Sequence, residues 1–143
     1  MRSTDVRFAS GPPKPDFSGD YILNRHASTL TPGAAGAVSS GVMHIEHREP
    51  IFRYRLTYFV PDKPLDVSYE LPTDGRESQL IEEGKPTMIS LRWDGDVLVF
   101  TERAQGTVTF RHELLENGRQ LRITEQNRGI GRDQDNVFIF ERQ

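Results

Sequence analysis

Three short turns between residues 86 and 127 constrain this chain more than any other feature. The runs 86–93 (PTMISLRW), 96–103 (DVLVFTER), 107–116 (TVTFRHELLE) and 119–127 (RQLRITEQN) are separated by Asp94-Gly95, by Ala104-Gln105-Gly106 and by Asn117-Gly118. Asp-Gly and Asn-Gly between alternating apolar residues signal two-residue hairpins, because both central positions of a type I′ turn need φ > 0. A three-residue loop ending in glycine fits a type I turn followed by a left-handed bulge. These turns predict their own register. Pairing 93 with 96 sets Leu91 against Leu98 and Ile89 against Phe100. Pairing 103 with 107 sets Phe100 against Phe110 and Leu98 against His112. Pairing 116 with 119 sets Leu114 against Leu121 and His112 against Ile123.

Opposed residues of an antiparallel pair share a face of the sheet. One face then carries Ile89, Leu91, Trp93, Leu98, Phe100, Val108, Phe110, Leu114, Leu121 and Ile123. The other is rich in Ser, Thr, Arg and Glu, diluted by Met88, Val97, Val99 and Leu115. A slip of one residue in any hairpin would scramble the separation, so agreement across three turns supports the register.

The rest of the chain extends the pattern. Residues 1–16 read as a disordered tail interrupted by Pro12, Pro13 and Pro15, and residues 17–143 as a single domain. The first strand spans 17–26. A small, uncharged, Pro/Gly-broken segment follows at 27–40, with room for one helical turn but not for two packed helices. Strands at 41–48 and 51–60 turn at Glu49-Pro50, which sets Ile45 against Tyr54 and His47 against Phe52. A loop at 61–64 sets Tyr58 against Val67 and Leu56 against Tyr69. Asp74-Gly75 reads as a further hairpin, placing Leu71 by Ser78. The last strand lies near 135–142, where Val137 and Ile139 compete with Phe138 and Phe140 for the inward face.

About ten antiparallel strands joined by short connections predict an all-β, up-and-down β-barrel, with a two-sheet sandwich of the same pairings as the competing architecture. An outer face of Arg, Glu and Thr excludes a membrane barrel, and no run approaches a spanning helix. A formal net charge of −3 without basic runs gives no reason to expect nucleic acid. The absence of cysteine excludes thiol chemistry and disulfides. The N-terminus lacks the apolar centre of a signal peptide, which leaves two expectations for location: cytoplasmic, or exported with a leader removed.

Phe17-Ser18-Gly19-Asp20-Tyr21-Ile22-Leu23 resembles the F-x-G-x-W-x-L opening of the calycins, the lipocalins and fatty-acid-binding proteins, with Tyr21 in place of the Trp. The strand number, the short first connection and the ending Phe140-Glu141-Arg142 resemble the fatty-acid-binding branch. The stretches Met43-x-Ile45-Glu46-His47, Asp74-Gly75-Arg76-Glu77 and Arg92-Trp93-Asp94-Gly95 resemble a group of small uncharacterised bacterial lipocalin-like proteins. This resemblance implies a calycin-like barrel over roughly 17–142. It also marks two departures. Residues 27–40 are too short for the helix-turn-helix lid, and Phe138 and Phe140 stand where the family's carboxylate-gripping Arg and Tyr would be. The resemblance further implies that Arg142 caps the barrel end near Tyr21.

A barrel of this size can hold one small molecule against apolar walls with a few inward polar groups. The register turns Tyr54, Tyr69, Glu102, His112 and Glu125 inward, with His47 near a strand end. The lumen candidates are therefore Tyr54, Tyr69, Phe100, Phe110, His112, Ile123 and Glu125. Glu125 is the diagonal neighbour of His112, so the two can form an acid/base pair, orient a ligand's polar end, or satisfy each other structurally. Glu102 reads as a solvated rim residue and Trp93 as a barrel plug. His44 and His47 point to opposite faces of a strand and cannot chelate one metal. No cofactor, phosphate or nucleophile motif is present. Three functions follow: binding of a small hydrophobic or amphipathic molecule, lumen acid/base catalysis of the isomerase, cyclase or hydratase type, or a filled barrel acting through its surface.

Overall fold

The computed structural model describes residues 13–82, 84–129 and 133–143. Ten antiparallel strands form one sheet: β1 (Gly19–Leu23), β2 (Ser40–Arg48), β3 (Ile51–Phe59), β4 (Pro64–Pro72), β5 (Ser78–Glu82), β6 (Lys85–Asp94), β7 (Val97–Arg103), β8 (Thr107–Leu115), β9 (Gln120–Arg128) and β10 (Gln134–Arg142). Their order is β4-β3-β2-β1-β10-β9-β8-β7-β6-β5, so every consecutive pair except β4 and β5 is hydrogen-bonded and β10 returns to lie beside β1. The sheet curls into an up-and-down barrel left unpaired along a seam between its edge strands β4 and β5, where β4 approaches β6. No helix among the described residues is long and apolar enough to cross a membrane.

Two turns hold the register that their chemistry predicts. Arg103 pairs with Thr107 and Phe100 with Phe110, while Leu121 pairs with Leu114 and Ile123 with His112. Asn117 and Gly118 both take positive φ, as a type I′ turn demands. Two other turns are displaced by two residues. Asp94 pairs with Val97 and Leu91 with Phe100, because Gly95 occupies the first central position with φ 63°, the place a type II′ turn reserves for glycine. Phe59 pairs with Pro64 and Tyr54 with Tyr69, because Pro64 opens an edge strand where its missing N–H is tolerated. A displacement of two preserves side-chain parity, so the inner and outer faces stay as predicted.

The Asp74-Gly75 hairpin does not form. Leu71 pairs with Phe52 and Ser78 with Ile89, and β4 does not pair with β5. The Asp74 carboxylate instead accepts the Arg76 N–H at 2.9 Å, a local bond that competes with hairpin closure. Gly75 N–H then donates to Leu91 O at 2.8 Å. This contact and the bridge between Asp74 and Arg92 tie the seam at one end of the barrel.

That end is plugged. Phe17, fully buried, packs against His47, Phe52 and Trp93. The Phe17 N–H donates to His47 Nδ1 at 3.1 Å, which leaves Nε2 to carry the ring proton toward Glu49, 2.7 Å away. Glu49 also accepts Thr73 Oγ1 at 2.9 Å and Trp93 Nε1 at 3.0 Å. Burial pushes the Glu49 carboxyl up, but the bonds from His47, Trp93 and Thr73 outweigh it and hold it below its ordinary value. Residues 1–12 of the expected tail lie outside the described residues. Of its remainder, Lys14 donates to Gly95 O and lies over the Trp93 ring.

Arg142 closes the same end from the other side. Its guanidinium lies 5.4 Å from the Tyr21 ring centre and donates to the carbonyls of Gly118, Ser18 and Asp16. Replacing Arg142 with leucine removes the donor for three backbone acceptors and is expected to lower stability by about 2–3 kcal/mol, read as a shifted urea midpoint at unchanged slope.

Candidate functional site

Opposite the plug, the barrel opens into a cavity of about 380 Å³. Its walls are built by the alternation of β3, β4 and β7 to β10, and its cover by residues 34–38. All seven lumen candidates, Tyr54, Tyr69, Phe100, Phe110, His112, Ile123 and Glu125, line it, as does Glu102. Met43, Leu56, Tyr58, Val67 and Phe138 complete most of the apolar wall. The aromatic rings interlock: Tyr69 lies 5.0 Å from Phe100 between ring centres, and Tyr58 stacks on Phe138 at 5.4 Å. Gly41 makes room for that stack, since a Cβ there would meet Tyr58 Cδ1 at 2.9 Å.

The cover contains no helix, in keeping with its broken sequence. It is sewn to β10 by the reciprocal backbone bonds of Thr29 with Val137, both 2.8 Å, and by Asn24 N–H to Ile139 O at 2.7 Å. Ser28 Oγ accepts the Ile139 N–H at 2.9 Å. This covering explains the ambiguous last strand: Phe138 and Phe140 face the lumen, while Ile139 is buried from outside.

His112 and Glu125 both reach the cavity without bonding each other. His112 Nδ1 lies 3.3 Å from the Leu98 carbonyl, which can only accept, so Nδ1 carries the proton. Complete burial pushes the imidazole pKa down to about 4, leaving it neutral near pH 7. Glu125 instead accepts Asn136 Nδ2 at 3.1 Å and Asn127 Nδ2 at 3.3 Å. Burial pushes its carboxyl up, and the Asn136 bond offsets that only in part. Tyr54 and Tyr58 are likewise pushed up by burial, Tyr54 further by Tyr69 and Glu102, and Tyr58 by Glu125. Both therefore present neutral hydroxyls.

Two site features escape sequence reasoning. Asn136, almost fully buried, accepts Thr31 N–H at 2.6 Å and Thr31 Oγ1 at 2.9 Å on its Oδ1 while its Nδ2 serves Glu125. It thus joins cover to lumen. Tyr58 is the other, although its alternation with Tyr54 and Leu56 and the glycine opposite it, Gly41, both pointed inward.

No protein-family model matches the chain, and no curated protein matches it by sequence. Solved structures do. A protein titled "REP1-NXSQ fatty acid transporter" superposes with a TM-score of 0.64 at 14% identity, covering 88% of this chain and 95% of its own. The fluorescent protein UnaG gives 0.68 at 12% identity, covering 89% and 97%. Secretory abundant heat soluble protein 4 from Ramazzottius varieornatus gives 0.60 at 12% identity, covering 94% and 99%. The chain shares the β-barrel fold of these three proteins.

Proposed function

We propose that this protein is a binding module that holds one small hydrophobic or amphipathic molecule in the barrel lumen. The observation that carries this reading is the cavity itself. Its volume of about 380 Å³ falls within the 300–1,000 Å³ range of small-molecule sites, and its walls are apolar and aromatic with a few convergent polar groups. A filled barrel would leave no such volume. The likeness to a fatty acid transporter supports a hydrophobic occupant at the level of architecture. Lumen acid/base catalysis draws less support, because His112 spends its proton on a backbone carbonyl and Glu125 is engaged by amides.

Organic extraction of the purified protein followed by mass spectrometry tests the proposal, with an unrelated protein as control. A molecule recovered near one per chain, or stoichiometric uptake of the neutral dye Nile red, is the expected result. Replacing Val67 on the cavity wall with tryptophan is expected to weaken dye uptake by roughly tenfold or more through loss of volume. An empty extract with no dye uptake would overturn the proposal.

A further inference from the structure

The cavity is acidic, and that restricts the polar end of its occupant. Glu125 borders it, and the partners of its carboxylate are the neutral amides of Asn136 and Asn127 rather than a cation. Glu102 is a second carboxylate in the wall, and no lysine or arginine lines the cavity among the described residues. His112 cannot compensate, since burial keeps its ring neutral. Asn136 Oδ1 is occupied by both donors of Thr31, so the amide has no acceptor left to offer a ligand. A carboxylate brought to this wall would meet the Glu125 carboxylate in a low-dielectric site, with no guanidinium among the described lining residues to offset it. A cation would meet the Glu125 carboxylate in an aromatic-lined chamber, where the two attract.

Resting on the binding proposal, we infer that the lumen selects apolar molecules bearing a protonated amine and discriminates against those ending in a carboxylate. The chemistry is that of a long-chain or aryl-alkyl amine: the apolar body fills the aromatic chamber, and the ammonium donates to Glu125. This is the reverse of the head-group preference expected where an arginine grips a fatty acid.

The test compares dodecylamine, dodecanol and dodecanoate as displacers of Nile red from the intact protein near pH 7. The amine is expected to displace at a concentration roughly tenfold lower than dodecanoate, with the alcohol between them. In Glu125→Gln, a near-isosteric change, the advantage of the amine over the alcohol is expected to disappear, with each displacer referred to the variant's own Nile red affinity. The ranking is read first on the native protein, so it stands even if the variant does not fold. Nile red uptake with dodecanoate equal to or better than the amine overturns the inference alone. An amine preference that persists unchanged in Glu125→Gln would do the same. No dye uptake, and no binding of any of the three by calorimetry, overturns the binding proposal and this inference together.

Discussion

Replacing Phe17 with alanine is expected to destabilise the barrel by about 3–5 kcal/mol, the range for removing a fully buried aromatic ring. The effect lies at the top of the scale because three rings, those of His47, Phe52 and Trp93, lose a shared neighbour. The backbone around it is equally committed. The Phe17 carbonyl accepts the Tyr21 hydroxyl at 2.7 Å, and its N–H fixes the His47 tautomer. Trp93 is the sole tryptophan of the chain, so its fluorescence reports on this plug. Chemical denaturation followed by Trp93 emission is expected to show an early midpoint in Phe17→Ala and near-native behaviour in Phe17→Leu. A loss below about 1 kcal/mol would mean that the plug does not hold the barrel end.

Acid is expected to weaken the native protein well above the range in which ordinary carboxylates titrate. The His112 imidazole has a folded pKa of about 4, against an ordinary 6.5. A base whose folded value is depressed binds fewer protons folded than unfolded within that window. Stability is therefore complete above about pH 6.5 and is lost progressively as pH falls toward 4. The loss approaches about 3 kcal/mol, since each pKa unit corresponds to about 1.4 kcal/mol. Glu49, held below its ordinary value, adds to the loss only below about pH 4.5, through the same sign of linkage for a depressed acid. Glu125, shifted upward, works in the opposite direction. Comparing native protein with His112→Asn cancels both carboxylates. Urea unfolding at pH 7 and pH 4.5 is expected to show about 2–3 kcal/mol of acid sensitivity that the variant lacks. Parallel pH profiles would show that His112 is accessible to protons in the folded state.

The turns made the barrel legible. Asn117-Gly118 and the 104–106 loop fix their pairings through local φ requirements, and tertiary contacts have no reason to override them. The displaced pairings at Gly95 and Pro64 show the limit of this logic. A turn sequence restricts which residue takes positive φ or lacks an N–H, but neighbouring turn types can satisfy the same restriction two residues apart. Parity survives such an error, which is why the inward positions of Tyr54 and Tyr69 were readable while their mutual pairing was not. His112, between two turns that both hold their register, keeps both expected partners, Leu98 and Ile123.

Asp74-Gly75 failed for a different reason. The same dipeptide that closes hairpins can form a side-chain turn, and only the path of the neighbouring strands decides between them. The link from Thr31 through Asn136 to Glu125 was illegible for a third reason. It depends on where an unpatterned segment crosses the barrel mouth, and no periodicity encodes that path.

The seam between β4 and β5 has a mechanical meaning. A hoop cut through on one side bends far more easily than a closed one, because widening it breaks no ring of bonds. Here the cut is tied at the plugged end by Asp74 with Arg92 and Gly75 with Leu91, and inside the barrel Tyr69 of β4 lies against Phe100 of β7. The edges so exposed are poor templates for a foreign strand, since β4 carries proline at both ends and β5 is only five residues long. The chamber of about 380 Å³ is thus bounded on one side by two strand edges that no backbone ladder joins.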